Sequence, residues 1–94
     1  MKNIAFIDKE SLSNIRFSKQ EAIPEKTGQL KRSIDLFRGM VLGNTEHCKV
    51  KITFKDESEV LHCVETTIWA ALEDYILLKG GKSIPIRAIT SIDF

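Results

Sequence analysis

The feature of this chain that most limits its fold is a change of hydrophobic period near Gly43. Before that residue, apolar side chains recur with the period of a helix, and after it they alternate with polar ones. An alternation of period two is typical of strands that bury one face and expose the other. The change therefore predicts one helix followed by a β-rich C-terminal half.

Residues 27–43 are the predicted helix, with Thr27 as a suitable N-cap and Gly43 as a suitable stop. Its apolar side chains fall at i, i+4, i+7 and i+11, the spacing of a single stripe, and they are Leu30, Ile34, Phe37 and Val41. The charged residues that lie off this stripe are Lys31, Arg32, Asp35 and Arg38. Because an apolar stripe of a helix usually packs against the core, we expect its four side chains to be buried.

Four or five strands are expected in residues 47–94. The first covers residues 47–55 and has a basic outer face. The second runs from Val60 to about Ala71, a length at which strands usually bend, so that their halves pack on different neighbours. The third is Tyr75–Leu78, and the last covers residues 91–94.

Gly80 and Gly81 predict a hairpin with a two-residue loop, because glycine adopts positive φ without steric cost. Such a loop sets Leu77 opposite Ile84. Pro85 lacks an N–H group, and we therefore expect it at a sheet edge or a bulge. Residues 1–26 combine short apolar alternations with a polar stretch, which predicts an N-terminal arm or an edge hairpin.

Together these elements predict a single α+β domain, mainly β, over residues 1–94. One amphipathic helix followed by a four- to five-stranded antiparallel sheet, with one long bent strand, is typical of a small, partly open barrel in the Sm or SH3 style. The alternative is a flat sheet with the helix on one face. The 94 residues are enough for one domain and too few for two.

The charge balance argues against a strong nucleic-acid or membrane-surface binder. The chain has 14 Lys and Arg residues against 13 Asp and Glu residues, a formal net charge of +1, and neither half carries a large excess. We find neither the apolar region of a signal peptide nor the ~18 apolar residues of a membrane span. We therefore expect a cytoplasmic protein with reduced cysteines and no membrane partner.

Two His-Cys dipeptides, at residues 47–48 and 62–63, contain the residue types of a zinc site. Adjacent residues on a strand point to opposite faces, so neither dipeptide can direct both side chains at one ion. A turn at residues 56–59 would also separate the two pairs by about 13 Å along the ladder. That distance is too long for a disulfide between Cys48 and Cys63, and we expect no metal, cofactor or disulfide.

Catalytic chemistry is not indicated by any arrangement of residue types. A nucleophile with a nearby base and a third group to orient that base is not recognisable, and we expect no enzymatic activity. Glu65, in the middle of a strand, is expected to be exposed or paired with Lys49 or Lys51 across the ladder. The hairpin accounts for the two adjacent glycines, and a phosphate loop would need a longer glycine pattern.

Two sets of residues are candidate binding groups. Lys49, Lys51 and Lys55 share one face of the first strand, with a spacing of about 6.6 Å between alternate positions, and they form the predicted binding strip. The alternative for this strip is a solvated face that blocks aggregation at an edge. Trp69 and Tyr75 are the candidate contacts for a protein partner, with burial in the core as the alternative.

The chain from Leu30 to its end also resembles a known family. A helix followed by KVKITFKDESEVLHC (residues 49–63) and YILLKGGKSIPIRAITSI (residues 75–92) is similar in layout to the Rho-binding antiterminator (Rof) family. The resemblance implies an Sm-like small barrel and assigns no site residues. The segments LGNTEH and VETTIWAALEDYILLKGGKSIPI look like those of short uncharacterised bacterial proteins, a similarity that implies the fold and no activity.

These observations favour a non-catalytic interaction module that binds a protein or RNA through a small β-barrel surface. The alternative is a homo-oligomeric assembly or interface protein with no nucleic-acid role. In that case the long strand at residues 60–71, or residues 1–26, completes a sheet between copies. A binder of a small ligand is a third class.

Overall fold

The computed structural model of this protein describes residues 4–94, which hold one α-helix, seven strands and two short 3-10 helices and so confirm the α+β class. The helix α1 covers Lys26–Glu46, and the 3-10 helices cover Lys9–Asn14 and Ile86–Ala88. The strands are β1 (Ile4–Ile7), β2 (Val50–Lys55), β3 (Leu61–Thr66), β4 (Ile68–Ala71), β5 (Tyr75–Leu78), β6 (Ser83–Pro85) and β7 (Ile89–Asp93). β5 has its predicted bounds, whereas β7 begins two residues before its predicted start.

The strands of residues 4–94 form two sheets. One has the order β1-β3-β2-β7 and the other the order β4-β5-β6. β2 pairs antiparallel with both of its neighbours, but β1 pairs with β3 in parallel. The prediction of one antiparallel sheet with four or five strands is therefore wrong. In this part of the chain the strands do not close into a barrel, and the Sm- or SH3-like barrel stays a prediction.

The long strand predicted over residues 60–71 is divided at Thr67 into β3 and β4. Each half belongs to a different sheet, as expected for a long strand with apolar residues on both faces. The carbonyl of Thr67 accepts a hydrogen bond from the backbone N–H of Lys79 at 2.9 Å, which ties this junction to the end of β5. The division converts the predicted single meander into two sheets.

The N-terminal segment is an edge strand followed by a 3-10 helix, and the predicted edge hairpin is wrong. β1 pairs with β3 so that Ile4 lies beside Leu61 and Ile7 beside Val64. A parallel partner requires a long crossover instead of a tight turn, and here the crossover contains α1 and β2. Leu12, on the 3-10 helix, is buried in the core. Residues 1–3 of the predicted arm lie outside the described residues.

The glycine hairpin between β5 and β6 is present, but its loop is longer than predicted. Gly80 and Gly81 have φ angles of 92° and 89°, in the region that the sequence predicted for them. The backbone N–H of Leu78 donates to the carbonyl of Lys82 at 2.7 Å. The loop therefore contains three residues, from 79 to 81, instead of two.

The longer loop shifts the register of this hairpin by one residue. Leu77 lies opposite Ser83 instead of Ile84, so the predicted pairing is wrong. Because a slip of one residue exchanges the two faces of a strand, the observed register sets Ile76 opposite Ile84, and both side chains are fully buried. Pro85 lies at the end of the edge strand β6, which confirms the position expected from its missing N–H group.

The core is one cluster that joins both sheets to α1 and to the two 3-10 helices. Its buried members are Leu12, Leu36, Val50, Ile52, Phe54, Val64, Ile68, Ile76, Leu78, Ile84, Ala88, Ile89 and Ile92. Phe54 is the largest of them, and its ring centroid lies 5.3 Å from that of Phe17. The loop before α1 is thereby packed onto the sheet that carries β2.

α1 packs on the strands through the face opposite to the predicted one. The residues that this face buries are Arg32, Asp35, Leu36, Gly39 and Gly43. A Cβ atom on Gly43 would lie only 2.5 Å from the backbone oxygen of Ile68, and one on Gly39 would lie 3.0 Å from its Cδ1 atom. The predicted helix stop at Gly43 is therefore wrong, because this glycine lies inside α1 and permits close contact with β4.

Side chains of α1 also satisfy the free backbone edge of β4. The Nδ2 atom of Asn44 donates to the carbonyl of Trp69 at 3.3 Å, and the backbone N–H of Ala71 lies 3.2 Å from the sulfur of Met40. An unpaired strand edge is otherwise open to pairing with another chain. The helix covers this edge and then ends at Glu46, after which His47 adopts the left-handed conformation, with φ of 55°.

We expect the substitution Gly43→Ala to destabilise the protein, although alanine favours a helix over glycine by about 1 kcal/mol. The added methyl group would overlap the backbone of β4, and overpacking of a well-packed interior costs about 1–3 kcal/mol. Urea denaturation followed by circular dichroism measures the free energy of unfolding. Ser33→Ala is the control, because Ser33 is exposed on the same helix. A more stable Gly43→Ala variant would contradict the close contact.

Candidate functional site

A row of exposed apolar side chains follows the outer face of α1. This row, the α1 ridge, consists of Leu30, Ile34, Phe37 and Val41, which are 63, 52, 60 and 40% exposed. These are the four side chains that the sequence predicted in the core, and that prediction is wrong. Single exposed apolar residues are common on protein surfaces, whereas a contiguous row of them marks an interaction site.

The ridge faces outward because the opposite stripe of α1 fits the strands more closely. That stripe is Arg32, Leu36, Gly39 and Gly43, which repeats the spacing of the ridge with an offset of two residues. Two residues correspond to a rotation of about 200°, so the two stripes lie on opposite faces. If the ridge packed inward, the large ring of Phe37 would hold α1 away from the edge of β4 that it now covers.

One flank of the ridge is acidic. A groove of about 660 Å³ runs beside the ridge, and both Phe37 and the exposed Leu72 line it. The turn between β4 and β5 adds the exposed carboxylates of Glu73 and Asp74 to the lining of this groove. The exposed Arg87 also lines the groove and offsets one of these charges, which leaves the lining with a small excess of negative charge. The apolar surface of the ridge therefore continues onto Leu72 and then meets negative charge.

The other flank of the ridge, toward β7, is basic. The exposed side chains of Lys31 and Arg38 both lie near Asp35, with nitrogen–oxygen distances of 2.7 and 4.0 Å. The guanidinium carbon of Arg38 also lies 4.6 Å from the ring centroid of Phe94, the residue after β7. Two cations share one largely buried carboxylate, which leaves this flank with a positive charge.

An ion pair between a buried arginine and a partly exposed glutamate fixes α1 beneath the ridge. The side chain of Arg32 is 5% exposed, and its two terminal nitrogens donate to the two carboxylate oxygens of Glu21 at 2.6 and 2.8 Å. One of these nitrogens also donates to the carbonyl of Ile89 at 2.9 Å. The hydrogen bond from Arg32 holds the pKa of Glu21 below its usual value of 4.5, although partial burial acts in the opposite direction.

A second polar pair stabilises the turn between β2 and β3. The Nε2 atom of His62 lies 2.8 Å from Oδ2 of Asp56, and Oδ1 of Asp56 accepts the backbone N–H groups of Ser58 and Val60. Burial by itself would raise the pKa of Asp56. The hydrogen bonds, led by the one with His62, outweigh burial and lower that pKa below its usual value of 3.8. The side chain of His62, on β3, therefore contacts Asp56 and helps to hold the turn.

The predicted lysine strip is balanced by acidic residues on the neighbouring strands. Lys51 lies directly opposite Glu65 on β3 and opposite Asp93 on β7. The sequence predicted that Glu65 would be exposed or paired with Lys49 or Lys51, and in the structure Glu65 is exposed with Lys51 as its register partner. Lys49 precedes β2 and is exposed, whereas Lys55 at the end of β2 is half-buried. The three lysines therefore do not form a continuous exposed row.

Trp69 and Tyr75 are both on the surface, 45 and 43% exposed, so the alternative of burial in the core is wrong. Trp69 lies at the bulge between Ile68 and Ala70, where the register of β4 with β5 shifts. Such a bulge redirects a side chain relative to the regular alternation of a strand. The role of the two aromatic residues as partner contacts stays a prediction.

The two cysteines are free thiols. Cys63 is buried and lies opposite Thr53 on β2, and Cys48 is half-buried between α1 and β2. Within residues 4–94, no three His, Cys, Asp or Glu side chains are grouped as ligands of a metal ion. The described helix is also not long and apolar enough to cross a membrane.

No protein-family model, curated protein or solved structure matches this chain. The resemblance to the Rho-binding antiterminator family rests on sequence segments alone and stays a prediction. The functional assignment of the surface therefore depends on the geometry of α1 and its two flanks.

Sequence reasoning identified the residues of the ridge but not their exposure. A second stripe in the sequence could have indicated that the ridge is exposed. This stripe has the same spacing as the ridge and consists of Arg32, Leu36, Gly39 and Gly43. Two glycines four residues apart let a helix backbone approach its neighbour closely. The acidic flank had no such signal, because Glu73 and Asp74 reach the ridge only through the folding of β4 onto α1.

We expect the stability of the protein to decrease in acid, because the pKa values of Glu21 and Asp56 are both lowered by folding. A carboxyl group with a lowered pKa stabilises the folded state above its unfolded pKa, and this contribution disappears as the pH falls through the folded pKa. The free energy of unfolding should therefore decrease below about pH 5. Urea denaturation between about pH 7 and pH 3 measures this slope.

The substitutions Glu21→Gln and Asp56→Asn should each make this slope shallower, because each removes one titrating group. Glu57→Gln, at an exposed position in the same turn as Asp56, is the control and should have the same acid slope as the wild type. An acid slope that is the same in all three variants and in the wild type would contradict the stabilising role of both pairs.

Proposed function

We propose that this chain is a non-catalytic, cytoplasmic protein-interaction module that binds its partner through the α1 ridge. The observation that carries the proposal is the exposure of four large apolar side chains in one stripe of a single helix. Burial of apolar surface contributes about 25 cal/mol per Å². Anchors spaced at i, i+4 and i+7 are also those that a helix presents when it binds another protein surface.

The surroundings of the ridge have the composition of a protein interface. Phe37 is central in the ridge and lines the same groove as Leu72, and the two together form an apolar centre of the kind that supplies most of the binding energy. Charged groups border this centre on both sides, and they are Lys31, Arg38, Glu73 and Asp74. A polar rim around an apolar centre excludes water from the contact and selects the partner.

A protein fits this surface better than RNA does. RNA binding depends on cations that neutralise phosphates, and the net charge of the chain is only +1. Lys51, at the middle of the predicted lysine strip, already has a carboxylate opposite it on each side. The scaffold that we propose for the ridge is a partly open barrel in the Sm or SH3 style, supported by the bend at Thr67 between the two sheets.

We expect the double substitution Ile34→Gln, Phe37→Gln to reduce partner binding by at least about tenfold, because truncating a central anchor costs about 2 kcal/mol or more. The test uses the tagged chain, as wild type and as double variant, to capture partners from native lysate with and without nuclease. Mass spectrometry then compares the amounts of each captured protein. Both side chains are exposed, so the thermal unfolding midpoint should remain close to that of the wild type.

Val60→Gln is the matched control, because Val60 is 45% exposed in the turn between β2 and β3. This variant should capture the same proteins as the wild type. A separate triple variant, with Lys49→Glu, Lys51→Glu and Lys55→Glu, tests the lysine strip. If nuclease and this triple variant abolish binding while the ridge variant binds normally, the partner is RNA and the proposal is wrong.

A further inference from the structure

We propose that the occupant of the α1 ridge is a second copy of this chain, bound as a symmetric dimer in which the two α1 helices lie side by side and parallel. The inference rests on the proposed function, because it uses the same ridge. It adds the identity of the partner and the orientation of the contact. Three features of the described residues support it.

The first feature is the order of side-chain types along the ridge. Ile34 and Val41 occupy the a positions of a heptad, and Leu30 and Phe37 occupy the d positions. Among parallel coiled coils, β-branched residues at a with leucine at d favour two strands, so this order suits a contact between two helices, with phenylalanine in place of leucine at one d position. A two-fold axis that runs between the helices and parallel to them sets each ridge side chain against its own copy.

The second feature is the difference in charge between the two flanks. In the parallel arrangement the basic flank of one copy faces the acidic flank of the other, so that Lys31 and Arg38 meet Glu73 and Asp74 of the second copy. In an antiparallel arrangement each flank faces the same flank of the other copy. Cations would then oppose cations, which destabilises an interface. The charge pattern therefore selects the parallel orientation.

The third feature is the level of the charges along the helix. Glu73 and Asp74 line the groove together with Ser33 and Phe37, which lie between Lys31 and Arg38 in the sequence of α1. β4 runs from Ile68, beside Gly43, to Ala71, beside Met40, so the turn that follows it continues toward the N-terminal half of α1. With the helices in register, this direction brings the two acidic groups of one copy toward the stretch of the other helix that carries the two basic groups. The ridge spans about 17 Å, and Leu72 widens the apolar contact.

The first measurement is the mass in solution by analytical ultracentrifugation over a range of concentrations. The chain has a mass of 10.7 kDa, and we expect the measured mass to rise toward twice that value. The variant with Ile34→Gln and Phe37→Gln should remain a monomer, whereas the control Val60→Gln should dimerise as the wild type does. Glu73→Lys with Asp74→Lys should weaken the dimer most at low salt, where charges are least screened.

The second measurement distinguishes the two orientations by cysteine cross-linking. Leu30→Cys and Val41→Cys are made singly in a chain whose native cysteines are replaced by Cys48→Ser and Cys63→Ala. In a parallel dimer each single cysteine meets its own copy and forms a disulfide on oxidation. In an antiparallel dimer neither variant cross-links alone, because about 17 Å separates the positions and a disulfide needs Cα atoms within about 7 Å. Val60→Cys is the control and should not cross-link.

The outcomes separate this inference from the proposed function. Cross-linking of both single variants, together with loss of the dimer in the ridge variant, supports the parallel dimer. A wild-type chain that stays monomeric, while the ridge variant still loses capture of a different protein, overturns the dimer and leaves the proposed function standing. Unchanged capture and unchanged mass in the ridge variant overturn both.

Discussion

The close contact between α1 and β4 is the interaction on which the other features of this molecule depend. Gly39 and Gly43 let the helix backbone approach Ile68 until no Cβ atom would fit at Gly43. At that distance Asn44 and Met40 reach the backbone edge of β4 and satisfy it. The same contact decides which face of the helix is buried, and it therefore turns the α1 ridge toward solvent.

Local features of the fold were predictable, because they depend on neighbours in the sequence. The bounds of β5, the positive φ angles of Gly80 and Gly81 and the bend in the strand at residues 60–71 all follow from residue type and period. The predicted register of the hairpin between β5 and β6 was wrong because its loop has one residue more than expected, which exchanges the two faces of a strand. The parallel pairing of β1 with β3 had no local signal, since the two strands are joined through α1 and β2.

The candidate site was not predictable for a different reason. Both stripes of α1 have helical spacing, and an apolar stripe is ordinarily the buried one. Here the stripe that contains Arg32 is buried, which is tolerable because Glu21 and the carbonyl of Ile89 accept hydrogen bonds from both terminal nitrogens of the guanidinium, although the buried Nε atom has no partner among the described residues. Partners so distant in sequence cannot be identified from the periodicity of the helix. Burial of the apolar stripe of α1 competed with close contact between the backbones of α1 and β4, and the close contact was favoured.

The position of β1 at the edge of its sheet has a consequence for how the chain folds. Its partner β3 begins at Leu61, so ribosomal synthesis completes β1 long before the strand that it must join. The hairpins of β2 with β3 and of β5 with β6 close over short loops, and such local contacts form early. Until β1 docks, the edge of β3 is open to foreign strands. The interval before docking is therefore a stage at which β3 can pair with a strand of another chain.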